Sequence, residues 1–219
     1  MRTIRVTGSG RTRIRPDVTR VTMILDGLFK DYGETLRRSS EDTEKLKDML
    51  APFGFQRNDL KTLSFSVDPE YEGVREEDGT YTQRFTGYRF RHTMKVEFPS
   101  NNQRLGKVLF ALANGPVTPE FHLSYTVGDP EAVKNALLGR AVADAREKAA
   151  ALTRAGGVEL GELQTIDYSW GQADLEVRPM NGRVMMKSMA EPAANSYDLN
   201  VEPDNIELTD SVTVVWEIV

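Results

Sequence analysis

The sequence predicts an α+β protein in which antiparallel strands form sheets and long helices pack on one face of them. Two observations predict this class. Several segments alternate apolar and polar residues, and others repeat apolar residues at helical spacing, with Gly and Pro turn signals between them. Strands with one apolar and one polar side are what an antiparallel sheet covered on one face requires. The composition of the 219 residues, 39% hydrophobic and 28% charged, is that of a soluble globular protein.

The N-terminal strands come first. The segments Ile4–Val6 and Thr12–Arg15 flank Gly8-Ser9-Gly10, and these glycines suit a bulge or a sharp bend in an edge strand. After the turn signal Pro16-Asp17, residues Val18–Phe29 alternate as a second strand.

A helix is predicted from about Tyr32 to Phe53. Asp31 is a suitable N-cap, with Glu34 three residues later, and Gly54 can end the helix in a left-handed conformation.

The middle of the chain predicts two strands joined by an acidic loop. In the first, Leu60–Asp68, three apolar residues alternate with threonine and serine. The loop Glu70–Thr82 is interpreted as solvated, because its carboxylates do not match the spacing of a calcium loop. A long strand, Phe85–Phe98, follows it.

The second half predicts two further helices and three strands. A helix N-terminus is clearest at Asp129-Pro130, where an aspartate cap precedes proline at the first helical position. That helix carries an alanine-rich face that allows close approach to a sheet, and it ends at Gly156-Gly157. The remaining elements are Asn102–Asn114 as a helix and Phe121–Val127, Val158–Trp170 and Ser211–Val219 as strands.

Residues able to support catalysis or metal binding are few. The absence of cysteine excludes disulfides, thiolate catalysis and cysteine-ligated metals. Of the two histidines, His92 lies on the apolar side of its strand and His122 on the polar side. We expect His92 to be a buried histidine with a satisfied hydrogen bond, the alternative being a switch or a ligand. We therefore predict no enzyme, no catalytic residues, no metal site and no cofactor.

Charge and hydropathy limit the partners and the location. Arg11, Arg13 and Arg15 line one side of a strand, where charges discourage edge-to-edge aggregation. With a net charge of −5 and no aromatic residues between these arginines, we predict no nucleic-acid partner. No apolar run is long enough to cross a membrane, and the first residues lead straight into a strand without a signal peptide. We therefore predict a cytoplasmic protein.

A long segment without periodicity, about 171–203, exceeds the usual length of a connection. It holds half of the eight methionines, and methionine is common at surfaces that re-pack against partners. The candidate interaction residues are Met180, Met185, Met186 and Met189. The alternative is a mobile loop with incidental methionines.

Several short motifs, in order, resemble the SIMPL domain family. The first is Val6-Thr7-Gly8-Ser9-Gly10 with Arg15-Pro16-Asp17; next come Leu60-Lys61-Thr62 leading to Pro69-Glu70-Tyr71-Glu72, and Gly87-Tyr88 at the start of a long strand. The alanine-rich helix Ala141–Ala151, then Gly156-Gly157-Val158 and Leu160-Gly161, is similar as well, as are Ile206-Glu207-Leu208 and Val212–Ile218 at the end. The motifs span nearly the whole chain.

The resemblance implies one SIMPL-like α+β domain over residues 1–219, with the irregular loop at about 171–203. Members are often exported bacterial proteins, one resembles a ring or channel-like homo-oligomer, and some are linked to stress tolerance. It supplies no catalytic residues. Our leading hypothesis is a non-enzymatic module that self-assembles as a homo-oligomer or binds other proteins. The alternative is a small-ligand binding protein whose pocket lies between sheet and helices, with Tyr88, Phe90 and Trp170 in its lining.

Overall fold

The computed structural model describes residues 2–76, 80–168, 176, 197 and 201–219. In these ranges the chain forms an α+β fold of two antiparallel sheets with α-helices, which confirms the predicted fold class. The elements, in chain order, are β1 (Thr3–Ile14), β2 (Val18–Phe29), α1 (Tyr32–Leu50), β3 (Lys61–Arg75), β4 (Tyr81–Pro99), α2 (Asn102–Asn114), β5 (Glu120–Thr126), α3 (Pro130–Ala155), β6 (Leu160–Asp167) and β7 (Ile206–Ile218).

The chain divides into two compact units. The first is formed by Met1–Asp17, Tyr125–Val177 and Pro203–Val219, and the second by Val18–Ser124 and Arg178–Glu202. The single domain over residues 1–219 stays a prediction.

In the first unit, the strand order is β1-β7-β6 and α3 packs on the sheet. Strand β1 pairs with β7 along its whole length, from Thr3 opposite Glu217 to Ile14 opposite Ile206. The core joins the alanine face of α3 to the inner side of the sheet. Its fully enclosed members are Val6, Ala141, Ala145, Ala149, Val212, Val214 and Trp216.

The predicted bulge at Gly8-Ser9-Gly10 is wrong, because β1 runs through these residues without a register shift. These glycines instead allow helix α3 to pack closely on β1. A Cβ atom on Gly8 would lie far inside van der Waals contact with the carbonyl oxygen of Ala141, and one on Gly10 would do the same at Leu137. The Ser9 amide donates a hydrogen bond of 2.7 Å to Asp144 Oδ2, which fixes the strand to the helix.

In the second unit, the strand order is β3-β4-β2-β5, and α1 and α2 pack against one side. The predicted bounds of β2 and α2 are confirmed. Helix α1 ends at Leu50, before the predicted Phe53, and a 3₁₀ turn covers Ala51–Phe53. Pro52 explains this difference, since proline has no amide hydrogen with which to continue an α-helix.

The hairpin of β3 and β4 is longer than predicted. The acidic segment after Asp68, expected to be a loop, continues β3 to Arg75 and pairs with β4 from Tyr81. Cross-strand contacts stabilise this extension: Arg84 Nε donates to Glu72 Oε1 at 3.0 Å.

Candidate interaction site on the β3–β4 hairpin

The end of the hairpin is a two-stranded ribbon. Strand β2 pairs with β4 only as far as Phe29 opposite Tyr88, whereas β3 continues beside β4 beyond that point. We call the segment formed by Glu70–Arg75 and Tyr81–Gly87 the hairpin arm. An isolated two-stranded ribbon is marginally stable in water, so side-chain contacts on the arm matter for its order.

Four aromatic side chains form a continuous row from the arm to the start of α1. We call Tyr71, Phe85, Tyr88 and Tyr32 the aromatic row. The rings meet edge to face, with centroids 5.7 Å apart for Tyr71 and Phe85, 5.2 Å for Phe85 and Tyr88, and 5.2 Å for Tyr88 and Tyr32. Tyr71 is 54% exposed, Tyr32 49% and Phe85 42%. The row is thus ordered by its own contacts yet offers much of its surface to solvent.

An irregularity in the ladder places two of these rings on the same face. Glu70 lies opposite Gly87 but Tyr71 lies opposite Phe85, so Thr86 is an extra residue in β4. In a regular strand Phe85 and Tyr88, three residues apart, would point to opposite faces, and the extra residue brings them to the same face. Gly87 has φ 152°, and a Cβ atom there would collide with the Phe29 carbonyl oxygen.

The aromatic row lies on the side of the sheet that faces the core. Along β3, Val67 packs against the core of the second unit, and Pro69 and Tyr71 follow at alternate positions on that face. Helix α1 begins at Tyr32, so the row continues the apolar side of the sheet past the N-terminus of this helix. A contiguous exposed apolar surface of this kind is typical of interaction sites.

On the arm and beside it, basic side chains are paired with carboxylates. Arg84 pairs with Glu72, and Arg89 donates to Asp26 at 2.6 Å and to Glu70 at 3.1 Å. The hydrogen bonds from Glu70 and then Asp26 raise the pKa of Arg89 above its ordinary value. Arg75 lies over the ring of Tyr81, 5.8 Å from its centroid. The arm therefore presents aromatic surface, and the charges of Arg84 and Arg89 on it and beside it are already compensated.

His92 lies further along the same face of β4 and is half-buried. Thr43 donates its hydroxyl hydrogen to the Ser39 carbonyl at 2.8 Å, so it accepts from His92 Nδ1, 3.1 Å away. Nε2 then accepts from the Thr62 hydroxyl at 2.9 Å. Desolvation by burial, and then the charge of Lys47, lowers the pKa of His92 below 6.5. The network holds a neutral histidine between α1 and β3, in agreement with the expected satisfied histidine.

The residues predicted as a methionine contact surface, Met180, Met185, Met186 and Met189, lie outside the described residues. From that long connection the structure places Tyr197, whose amide donates to the Gly106 carbonyl at 3.3 Å. The Tyr197 ring lies 5.4 Å from that of Phe110, so this residue contacts α2.

Of the three residues predicted to line a ligand pocket, the structure describes Tyr88 and Phe90. Tyr88 belongs to the aromatic row, Phe90 is enclosed in the core at 1% exposure, and Trp170 lies outside the described residues. A small open depression lies instead beside β1, between Arg13, Arg140 and Glu207. Arg13 Nε donates to Glu207 Oε1 there at 2.9 Å.

The described residues contain neither a candidate metal centre nor a membrane-spanning helix. Within them, no group of three or more histidine, aspartate or glutamate side chains is placed to hold a metal ion. The helices in the same residues are too short or too polar for any of them to span a membrane.

Fold and surface together define an α+β protein with a candidate interaction face. The chain belongs to the SIMPL family, described as a protein of unknown function (DUF541), whose profile matches residues 4–216. It is similar to the 26 kDa periplasmic immunogenic proteins of Brucella melitensis biotype 1 and Brucella abortus strain S19. With each it shares 28% identity over 216 residues, which cover 98% of this chain and 84% of the relative.

The names of these relatives overturn the predicted location. Both are named periplasmic proteins, so the cytoplasmic prediction is wrong. It rested on the lack of a signal peptide before the first strand. Such a peptide is removed from a mature exported protein, so its absence from a sequence does not indicate the cytoplasm.

Proposed function

We propose that this protein is a non-enzymatic, self-assembling module of the periplasm and that the aromatic row is its contact surface. The observation that carries the proposal is the exposure of Tyr71 and Phe85, 54% and 42%, on a two-stranded arm. Aromatic residues are enriched at protein interfaces, where they supply a large contact area. The periplasmic location comes from the names of the two Brucella relatives.

Burial of the exposed part of these rings is the main energetic gain. A buried aromatic side chain covers roughly 150–250 Å². About 100 Å² of each half-exposed ring is then open to burial, which gives about 2.5 kcal/mol per ring at about 25 cal/mol per Å². Association has a large entropic cost, so several rings must be buried at once for a stable contact. A row of adjoining rings meets this requirement better than scattered apolar residues.

The charge distribution of the arm favours a second copy of the chain as the partner. In a two-fold interface the same surface meets itself, so uncompensated charge of either sign would repel its own copy. On the arm and beside it, Arg84 and Arg89 already have the carboxylate partners Glu72, Glu70 and Asp26. The surface can therefore face itself without like-charge repulsion.

A role for Met180, Met185, Met186 and Met189 as a second contact remains part of this proposal. The link to stress tolerance that the family resemblance implies is likewise a prediction. Survival of a strain lacking the gene under oxidant would test that link. The small-ligand alternative stays a prediction too, although the enclosed position of Phe90 leaves that ring no surface to offer a ligand.

Paired substitutions test the contact surface. We expect Tyr71→Ser with Phe85→Ser to lower the molar mass measured by light scattering after size exclusion, because the rings that would be buried are lost. The matched control is Leu163→Ser with Ile166→Ser on β6, where two apolar side chains are equally exposed at 49% and 50%. Equal masses for both double variants and the unaltered protein would contradict the proposal.

A further inference from the structure

Among the described residues, no strand pairs with the outer edge of β3. Strand β3 is the last strand of its sheet, and in the described part of the chain it pairs only with β4. Its residues are exposed on both faces, apart from Val67, Glu70 and Val74, which are of intermediate burial. A long exposed edge is a template for pairing with another strand, which monomeric proteins usually avoid.

We propose that two copies pair β3 with β3 in antiparallel orientation, about a two-fold axis that passes through Val67. The two four-stranded sheets then join into one continuous sheet. This inference rests on the proposed self-assembly, and it names the partner strand and the register. It also places the aromatic rows of both copies on the same face of the joined sheet, because opposite residues in an antiparallel pair share a face.

The sequence of β3 is complementary to itself in this register. On the core-facing side, Phe65 lies opposite Pro69 of the other copy and Val67 opposite Val67. On the other side each carboxylate meets a hydroxyl: Asp68 faces Ser66 and Glu70 faces Ser64. The regular ladder ends there, because β3 has a register shift between Thr62 and Ser64. No residue of the ladder lies opposite a like charge.

The neighbouring registers pair β3 with itself less favourably. An axis through Asp68 places Asp68 opposite itself, which is a like-charge pair. An axis between two residues turns the apolar side of one copy toward the polar side of the other. An axis through Ser66 avoids like charges but limits the regular ladder to residues 64–68, against residues 64–70 for the axis through Val67, because the register of β3 shifts between Thr62 and Ser64. The axis through Val67 therefore gives the longest ladder without repulsion.

Three features of β3 resemble devices that block edge pairing, and none excludes this one. The irregularity between Thr62 and Ser64 lies outside the ladder of residues 64–70. Charges on an edge strand act against pairing when they meet like charges, which the register avoids. Pro69 has no amide hydrogen and cannot donate to the new ladder. The proline therefore removes one backbone hydrogen bond from each strand of the new ladder.

The absence of cysteine from the chain allows a direct test with single cysteines in otherwise unaltered protein. Val67→Cys, Ser66→Cys and Asp68→Cys each report one register, since each residue meets itself only when the axis passes through it. Directly opposite Cβ atoms lie about 4.5–5.5 Å apart and diagonal residues about 7–8 Å. Only the first geometry comes close to the roughly 3.5–4.5 Å that a disulfide spans.

Under mild oxidation we expect Val67→Cys to form a covalent dimer on a non-reducing gel at least tenfold faster than either neighbour alone. Mixing Ser66→Cys with Asp68→Cys should restore rapid cross-linking, because these residues face each other across the axis. Faster self-linking of Ser66→Cys or Asp68→Cys would overturn the register. If no variant links while the unaltered protein is oligomeric, the edge pairing is wrong and the proposed function stands. A monomeric unaltered protein would overturn both.

Discussion

Glycine at positions 8 and 10 is required by the packing of α3 on β1. Both residues lie in extended strand, and the space for a Cβ atom is taken by backbone carbonyl oxygens of the helix. Gly139 on α3 itself differs, because a Cβ atom there meets nothing within 4 Å. The sequence motif alone indicated a bulge, since close approach between distant segments leaves no local signal.

This contrast predicts opposite effects of the same substitution. Gly8→Ala should lower the free energy of unfolding by about 1–3 kcal/mol, because the methyl group overpacks a rigid helix backbone. Gly139→Ala should raise it by about 1 kcal/mol, since alanine favours a helix interior. Urea denaturation of both variants measures the two values. A neutral Gly8→Ala would contradict the close packing of strand and helix.

Protonation of His92 should weaken the fold. The neutral ring is held by Thr43 and Thr62, and burial lowers its pKa below 6.5. As the pH falls through about 6.5, the unfolded chain takes up a proton before the folded protein does, so stability is lost toward the lower folded pKa. Above that range the contribution is fully present.

The measurement is the free energy of unfolding between about pH 7.5 and about pH 5.5. The unaltered protein should lose more stability over this interval than His92→Gln, whose side chain does not titrate. Equal losses in the two proteins would show that His92 does not couple folding to pH.

At the scale of elements, the local signals of helix ends were predictable from sequence and the extent of the hairpin was not. Asp129 accepts a hydrogen bond of 2.9 Å from the Ala132 amide, as its position before Pro130 predicts. The arm has the composition of a loop, and only pairing with β4 makes it a strand. In the sequence, the feature that could have indicated the aromatic row is the occurrence of two aromatic residues, Tyr71 and Phe85, in the acidic segment and close to it.

The cap of α3 provides a test at this scale. Asp129→Ala should lower the free energy of unfolding by about 1 kcal/mol, because the Ala132 amide loses its acceptor. Asp129→Ser should retain most of the stability, since a serine hydroxyl can accept the same hydrogen bond. Thermal denaturation of the two variants measures these changes in stability. An equal loss of stability in both variants would argue against a capping role for Asp129.

At the scale of the whole molecule, the proposed self-assembly uses two exposed surfaces of the described residues, the aromatic row and the outer edge of β3. Three of the four rings of the row lie on the same hairpin as this edge, and both surfaces gain from a second copy that faces them. The sequence predicted self-assembly from the family resemblance and from the methionines of the 171–203 loop. The sequence predicted the hairpin but gave no indication of its exposed edge and face, since the exposure of a strand depends on where its sheet ends.

The molar mass of the unaltered protein in solution tests the central claim most directly. Light scattering after size exclusion, repeated over a hundredfold range of concentration, compares the protein with the 24.6 kDa of one chain. If the protein self-assembles, its mass at the higher concentrations should be a defined multiple of this value. The variant that lacks the Tyr71 and Phe85 rings should not reach that multiple. A mass of one chain at every concentration would contradict self-assembly.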